Sequence, residues 1–343
     1  MRSFPPVARP DTPVPHAHPM DPAAERVDEA VPVVYIGGTQ RSGSTLLDRT
    51  LSQVPGHVSA GEIVHLWLRG VKHNELCGCG TSFLECPFWS EVGRTAFGGW
   101  DRLEVDEVLS LQRRVDRNRY IIFMVFPGLW PRYRRDLRAY ADVLGRVFRA
   151  IRHVSEGEAI VDSSKHASTA FLLRHVPGLK TRFVHLVRDS RGVAFSLQKR
   201  VRRPEVVERD AFMHRMGTWR SGTEWLAFNG LFHVLRWVGA PTLLVRYEDL
   251  VRAPEETLRG IAAFDGALPP AGRFPFIEGS SVTLGVDHTV AGNPMRFKHG
   301  TFELSLDETW TRSMHTRQRL ITTALTWPLL VAYRYLGTRR TGA

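Results

Sequence analysis

One stretch limits what this chain can fold into. Val33-Val34-Tyr35-Ile36 is a short apolar run, followed by Gly37-Gly38-Thr39-Gln40-Arg41-Ser42-Gly43-Ser44-Thr45 and then the helical spacing of Leu46, Leu47 and Leu51. The run reads as a buried strand, the middle as a glycine and hydroxyl loop, the end as the start of a helix. That order aims backbone N–H groups and the positive end of a helix dipole at an anion. The spacing Gly38-x4-Gly43 matches the triphosphate loop G-x-x-x-x-G-K-[ST] as far as its second glycine. Ser44 then stands in the lysine position, and the cation, Arg41, lies inside the loop. That lysine is what reaches the β- and γ-phosphates. Its absence speaks against ATP or GTP hydrolysis and for a smaller anion, a phosphate or a sulfate.

Further strand and helix signals follow. Ala159-Ile160-Val161-Asp162 reads as a strand, continued by Ser163-Ser164-Lys165-His166 and a helical run through Val176. Arg182 to Val187 reads as another, followed by Arg188-Asp189-Ser190 and a helix carrying Ser196. A long helix is expected from about Asp210 to Val238, then a strand from Thr242 to Tyr247. Alternation of this kind implies an α/β fold with a mostly parallel central sheet and helices on both faces, a P-loop-like three-layer arrangement. Polar residues at the carboxyl ends of parallel strands sit where such sheets bind ligands. Lys165 is therefore a candidate to enter the site, while Asp162 caps or orients its turn. Arg188 and Ser196 form a fitting phosphate pair, since arginine forks onto two oxygens and a hydroxyl donates to a third.

The chain's 343 residues suffice for a full core. Lys+Arg number 46 against 35 Asp+Glu, giving +11 and a pI near 10.1. A basic balance favours an anionic ligand, nucleic acid or a membrane surface, or is simply a solvated arginine-rich exterior. Residues 1–30 are proline-rich and almost without large apolar side chains, so they are expected to be a disordered tail, with no apolar h-region of a secretory signal. The folded domain is expected to span 31–343. No run approaches the roughly 18 apolar residues of a membrane span, which points to a cytoplasmic protein. The last apolar helix, about Gln318 to Leu336 with Pro328 inside it, is expected to pack on the core, with peripheral membrane contact as the alternative.

Between the loop and the second strand, Gly61-Glu62-Ile63-Val64-His65 sets an acidic residue before an apolar run. Glu62 reads equally as an exposed helix-start carboxylate or as a base returned beside the loop. The three cysteines, Cys77, Cys79 and Cys86, exclude a disulfide scaffold. With His73 nearby a Cys3His zinc knuckle is conceivable, but the C-x-C spacing is tight, and a packed thiol turn or redox pair is preferred. Residues from about Asp101 to Ala150 carry helical spacing and many arginines, which reads as an inserted helical lobe with a solvated face. The stretch from about 62 to 150 is expected to form the acceptor side of a cleft. Near the end, the Gly/Pro-punctuated loop His288 to Gly300 presents Arg296 and Lys298 and is expected to close over a phosphate.

Together these pieces resemble a family. Gly38 to Leu46 resembles the 5′-phosphosulfate-binding loop of sulfotransferases, with pattern [KR]-S-G-[ST]-[ST], and Val187-Arg188-Asp189 with Ser196 resembles their 3′-phosphate motif. Asp162 to Lys165, Val245 to Leu250, Gly292 to Phe297 and Cys86-Pro87-Phe88-Trp89 look like further blocks of the bacterial branch, which is related to protein-tyrosine and carbohydrate sulfotransferases. The resemblance implies transfer of the sulfuryl group of 3′-phosphoadenosine 5′-phosphosulfate to an acceptor hydroxyl or amine, leaving adenosine 3′,5′-bisphosphate, without metal. It assigns donor binding to Gln40, Arg41, Ser42, Gly43, Ser44, Thr45, Arg188, Ser196, Arg296 and Lys298. It places Lys165 at the bridging oxygen, gives Arg41 a share in stabilising the leaving bisphosphate, and makes Glu62 the base. Ile63 stands where tyrosine sulfotransferases carry a second glutamate, so His65 and His288 stay open as alternative bases. The acceptor class is a glycan, a lipid or a small molecule, with no nucleic acid partner. A P-loop kinase or NTPase and a basic nucleic-acid-binding protein are the rival readings.

Overall fold

A computed structural model describes residues 30–155, 157–200, 212, 215–266 and 273–336. The proposed tail 1–30 lies outside the described residues except for Ala30.

β1 (Val31–Gly38) is the centre of a sheet of five strands in the order β2-β3-β1-β4-β5, with β2 His57–Gly61, β3 Ala159–Lys165, β4 Leu179–Val187 and β5 Thr242–Arg246. All four pairings are parallel. Strand β2 was not legible as a strand: five residues ending in Gly61 read locally as the approach to a helix.

Alternation along β1 divides the core. Val33 and Tyr35 face one apolar layer, Val34 and Ile36 the other, as expected for a strand covered on both faces. On the second face lies α1 (Ser44–Leu51), whose Leu47 and Leu51 are fully buried. On the first face lie α2 (Pro87–Phe97), α3 (Val105–Val115), α4 (Ile121–Val125) and the long α5 (Pro131–Ser155). Helix α5 turns Tyr133, Leu137, Tyr140, Leu144 and Phe148 inward, at helical spacing. Arg132, Arg134, Arg135 and Arg138 are exposed on its other side. The arginines are thus a solvated face.

After β3 come α6 (Ala167–Leu173), α7 (Ser190–Ser196) and α8 (Thr218–Trp237). The expected start of α8 near Asp210 falls among residues outside those described. α9 (Tyr247–Arg252), α10 (Pro254–Asp265), α11 (Thr309–Ser313) and α12 (Thr316–Ala332) complete the helices. α12 continues through Pro328 and packs on α8. Its face toward the core carries Thr322, Thr326 and Leu330, while Leu320, Trp327 and Val331 are exposed. Among the described residues no helix is long and apolar enough to cross a membrane. A small antiparallel sheet of Ile277–Glu278, Ser281–Leu284 and Gly300–Glu303 flanks the second core.

Candidate active site

The carboxyl ends of β1, β3 and β4 open into one cleft of about 640 Å³, a size suited to a cofactor or drug-sized ligand. The loop after β1 supplies Gln40, Arg41, Gly43, Ser44 and Thr45 to its wall. Ser42 is turned the other way: its hydroxyl donates to the Thr39 carbonyl at 2.7 Å and closes the loop. Gly43 has φ 92°, and a Cβ there would lie 2.3 Å from the Tyr247 ring. Only glycine fits both restrictions. Helix α1 starts directly afterwards, so the first N–H groups of the helix face the cleft without intrahelical partners.

Two arginines converge on that helix end. Arg188, at the end of β4, donates from Nη1 to the Arg41 carbonyl at 3.1 Å and lies over the Tyr247 ring at 4.6 Å. Arg41 adopts φ 64°, a left-handed conformation that costs a non-glycine residue energy. Its Nη2 is buried with no hydrogen-bond partner among the described residues. Burial and the neighbouring Arg188 both pull the Arg41 pKa down. Two facing cations and an orphaned donor at a helix start suit an anion. Ser196, at the last turn of α7, lines the same cleft.

Opposite the loop, Glu62 and Lys165 meet as a buried ion pair between Oε1 and Nζ. Irregular register brings them there. In β3 one extra residue falls between the partners of Tyr35 and Gly37, and in β2 one extra residue falls between the partners of Val161 and Asp162. Bulges of this kind re-aim side chains at strand ends. Lys165 lies in the left-handed region at φ 69°. Of the two readings of Glu62, the structure has the buried one: the residue is 8% exposed. Burial pushes its pKa up, but Lys165 and His65 outweigh this and hold it well below the usual carboxylate range. His65 Nε2 stands 3.4 Å from Glu62 Oε2. Asp162 accepts from the backbone N–H of Ser164 at 2.9 Å and of Ile63 at 3.4 Å, so it orients both turns.

Three expected residues stand elsewhere. Arg296 is 1% exposed and donates to the carbonyls of Thr289 and Leu76, each at 2.6 Å. Lys298 is exposed, outside the cleft wall. The loop is pinned from below. Arg49, fully buried in α1, pairs with Asp287 at 3.0 Å and donates to the carbonyls of Gly285 at 2.6 Å and Met295 at 2.9 Å. His288 is likewise not in the cleft; its Nδ1 lies among the cysteines, 3.2 Å from Cys86 Sγ. His73 contributes nothing to that cluster.

The cleft also contains residues that sequence reasoning passed over. His166 follows Lys165, and its pKa falls to about 4 through burial, His65 and Lys165. Asn293 and Tyr247 lie on the wall, and Asn293 receives its place from its own N–H, which donates to Thr45 Oγ1 at 3.2 Å. Position after a strand end could have flagged His166. No local signal marks Asn293.

Residues 97–267 match the model of the sulfotransferase family. The chain is similar to the sulfotransferase domain of the Synechococcus PCC 7002 olefin synthase, at 21% identity over 88% of this chain and 95% of that one, with a TM-score of 0.47. It is also similar to the sulfotransferase domain of the curacin biosynthetic pathway, at 16% identity over 87% and 98% of the two chains, TM-score 0.44. A third likeness, to a sulfotransferase from Alicyclobacillus acidocaldarius, has 15% identity over 90% and 96%, TM-score 0.35. No curated protein matches the chain.

Proposed function

We propose that the chain, whose residues 97–267 match the sulfotransferase family, carries a sulfuryl group from 3′-phosphoadenosine 5′-phosphosulfate to an acceptor hydroxyl or amine. The observation that carries this reading is the pairing of Arg41 and Arg188 at the start of α1, with Arg41 Nη2 left without a partner among the described residues. A donor with one 5′-phosphate suits a loop whose lysine position is Ser44. In this reading the N–H groups of Gly43, Ser44 and Thr45 and the Arg41 guanidinium hold the 5′-phosphosulfate, while Arg188 and Ser196 hold the 3′-phosphate. Fixed donors of this kind stabilise charge that develops on a leaving oxygen.

Glu62 and Lys165 act together. Without a donor, the lysine neutralises the buried carboxylate. With the phosphosulfate in place, Lys165 turns to the oxygen that bridges sulfur and phosphorus, where negative charge grows. Glu62 thereby loses its cation, its proton affinity rises, and it takes the acceptor proton. His65, 3.4 Å from Glu62, steadies the carboxylate through this exchange. The lobe from about 62 to 150 forms the acceptor side, and the acceptor is a glycan, a lipid or a small molecule.

The test uses donor labelled in its sulfuryl group, incubated with the full chain and fractionated glycan, lipid and small-molecule extracts. Label should pass to an acceptor together with release of adenosine 3′,5′-bisphosphate. Glu62→Gln should lower the rate by about 10²–10⁴ while leaving bisphosphate binding intact. Label that stays on the donor while the protein turns over magnesium-ATP would replace this reading by a phosphoryl-transfer one.

A further inference from the structure

We propose that Cys77, Cys79, Cys86 and His288 form a tetrahedral zinc site that braces the floor of the cleft. Their ligand atoms, three sulfurs and Nδ1, all lie within 4.8 Å of one another. Cys79 and Cys86 Sγ are 3.7 Å apart, and Cys77 Sγ and Cys86 Sγ stand 3.8 and 3.2 Å from His288 Nδ1. A tetrahedron with a zinc–sulfur bond of about 2.3 Å has edges of about 3.6–3.8 Å between ligands. Two of the three separations already have that value.

The cluster is built from two distant segments, and their backbones are fitted to each other. Cys77 N–H donates to Thr81 at 2.8 Å and Gly80 N–H to Cys77 at 2.9 Å, which folds the cysteine segment into a tight turn. Gly78 N–H donates to the Thr289 carbonyl at 3.0 Å. A Cβ on Gly78 would meet Thr289 Oγ1 at 2.5 Å and the Asp287 carbonyl at 2.8 Å, so this close approach needs glycine. The imidazole of His288 is held flat against Phe88, centroids 5.0 Å apart and planes at 11°, and its carbonyl accepts from Trp89 Nε1 at 2.7 Å. Orientation of a ligating histidine by neighbours is the usual companion of a metal site.

Arg296 grips the Leu76 carbonyl, just before Cys77, and the Thr289 carbonyl, just after His288. The two halves are therefore joined by protein contacts on both flanks of the sulfur cluster. A disulfide would employ two of the thiols and leave the third and the imidazole facing it. Zinc employs all four groups. Binding releases a proton from each thiol, and Zn²⁺ with three thiolates and a neutral imidazole has a net charge of −1. With four protein ligands the site is closed, hence structural.

The brace would act on the cleft through the segment after His288. Val290 N–H donates to the Ala60 carbonyl, Glu62 N–H to Ala291, and Asn293 N–H to Thr45 Oγ1. Metal would thus help to set both Glu62 and the start of α1.

The test is elemental analysis of the full chain purified under reducing conditions, together with cobalt substitution. About one zinc per chain is expected. It should survive His73→Ala and fall by more than about tenfold in Cys79→Ser and His288→Ala. After chelation of the wild type, added cobalt should give thiolate charge-transfer and tetrahedral d–d bands. This second readout does not depend on variants that fail to fold. Folded wild type that neither contains zinc nor takes up cobalt with those bands would overturn the proposal. So would a Cys79–Cys86 disulfide that persists in the reduced, zinc-supplied protein.

Discussion

Two pairs of arginines lie on either side of α1 and do opposite things. Arg41 and Arg188 face the cleft, and Arg41 retains a buried donor without a partner among the described residues. Arg49 and Arg296 are buried and donate to backbone carbonyls, with Asp287 beside Arg49. In the proposed reading the first pair receives a ligand; the second fastens the 285–298 segment to the helix and to the cysteine turn. Charge alone does not tell them apart. What separates them is where they face: Arg41 and Arg188 line the cleft, and Arg49 and Arg296 do not.

Breaking the fastening pair should have the largest effect. Arg49→Met leaves Asp287 and the carbonyls it served without a donor in the interior, and loss of one partner from a buried pair costs about 3–5 kcal/mol. Chemical denaturation should show that loss, and an unchanged midpoint would contradict the assignment of Arg49 as a fastener.

A smaller effect is expected at Asp48, also on α1. Its carboxyl accepts from Ser59 at 2.7 Å and from Ser163 at 2.9 Å, and burial pushes its pKa up to about 8. The folded pKa lies above the ordinary carboxylate value near 4. Folding therefore takes up a proton, and the associated stability is present below about pH 4 and lost as pH rises toward 8. Asp48→Asn, which resembles the protonated acid, should flatten that decline and exceed the wild type in stability by more than about 1 kcal/mol at pH 8. Denaturation midpoints at pH 5 and pH 8 would check it; parallel slopes in the two proteins would refute it.

The smallest effect on stability should come from the cleft-facing pair. Arg41→Ala removes one of two mutually repelling cations, so the stability without ligand should stay level or rise, by about 1 kcal/mol or less. A drop as large as that of Arg49→Met would mean that both pairs are structural.

The same contrast explains what could be read from the sequence. The loop of Gly38 to Thr45 was legible because strand, glycine and helix start are consecutive and each follows local rules. Arg188 and Ser196 were legible as an arginine at a strand end with a hydroxyl two turns on. The Glu62–Lys165 contact joins residues 103 positions apart and depends on strand β2, which pairs beside β3, and on two bulges. Residue spacing carries no trace of these. The thiol turn was visible, but its fourth member is His288, 202 positions from Cys86, and not the nearby His73. The burial of Arg296 is hidden for a related reason: Gly292 and Pro294 suggest a loop free to close, whereas Arg49 pins it from a helix about 250 residues earlier.

The most direct measurement is calorimetric titration with adenosine 3′,5′-bisphosphate, without added magnesium, of the wild type, Arg41→Ala and Arg188→Ala. The expected result is micromolar binding to the wild type, weakened about 10–100-fold by each substitution, as for loss of a charged hydrogen bond. Absence of binding by the folded wild type, or affinity indifferent to both substitutions, would contradict the assignment of this cleft to the donor.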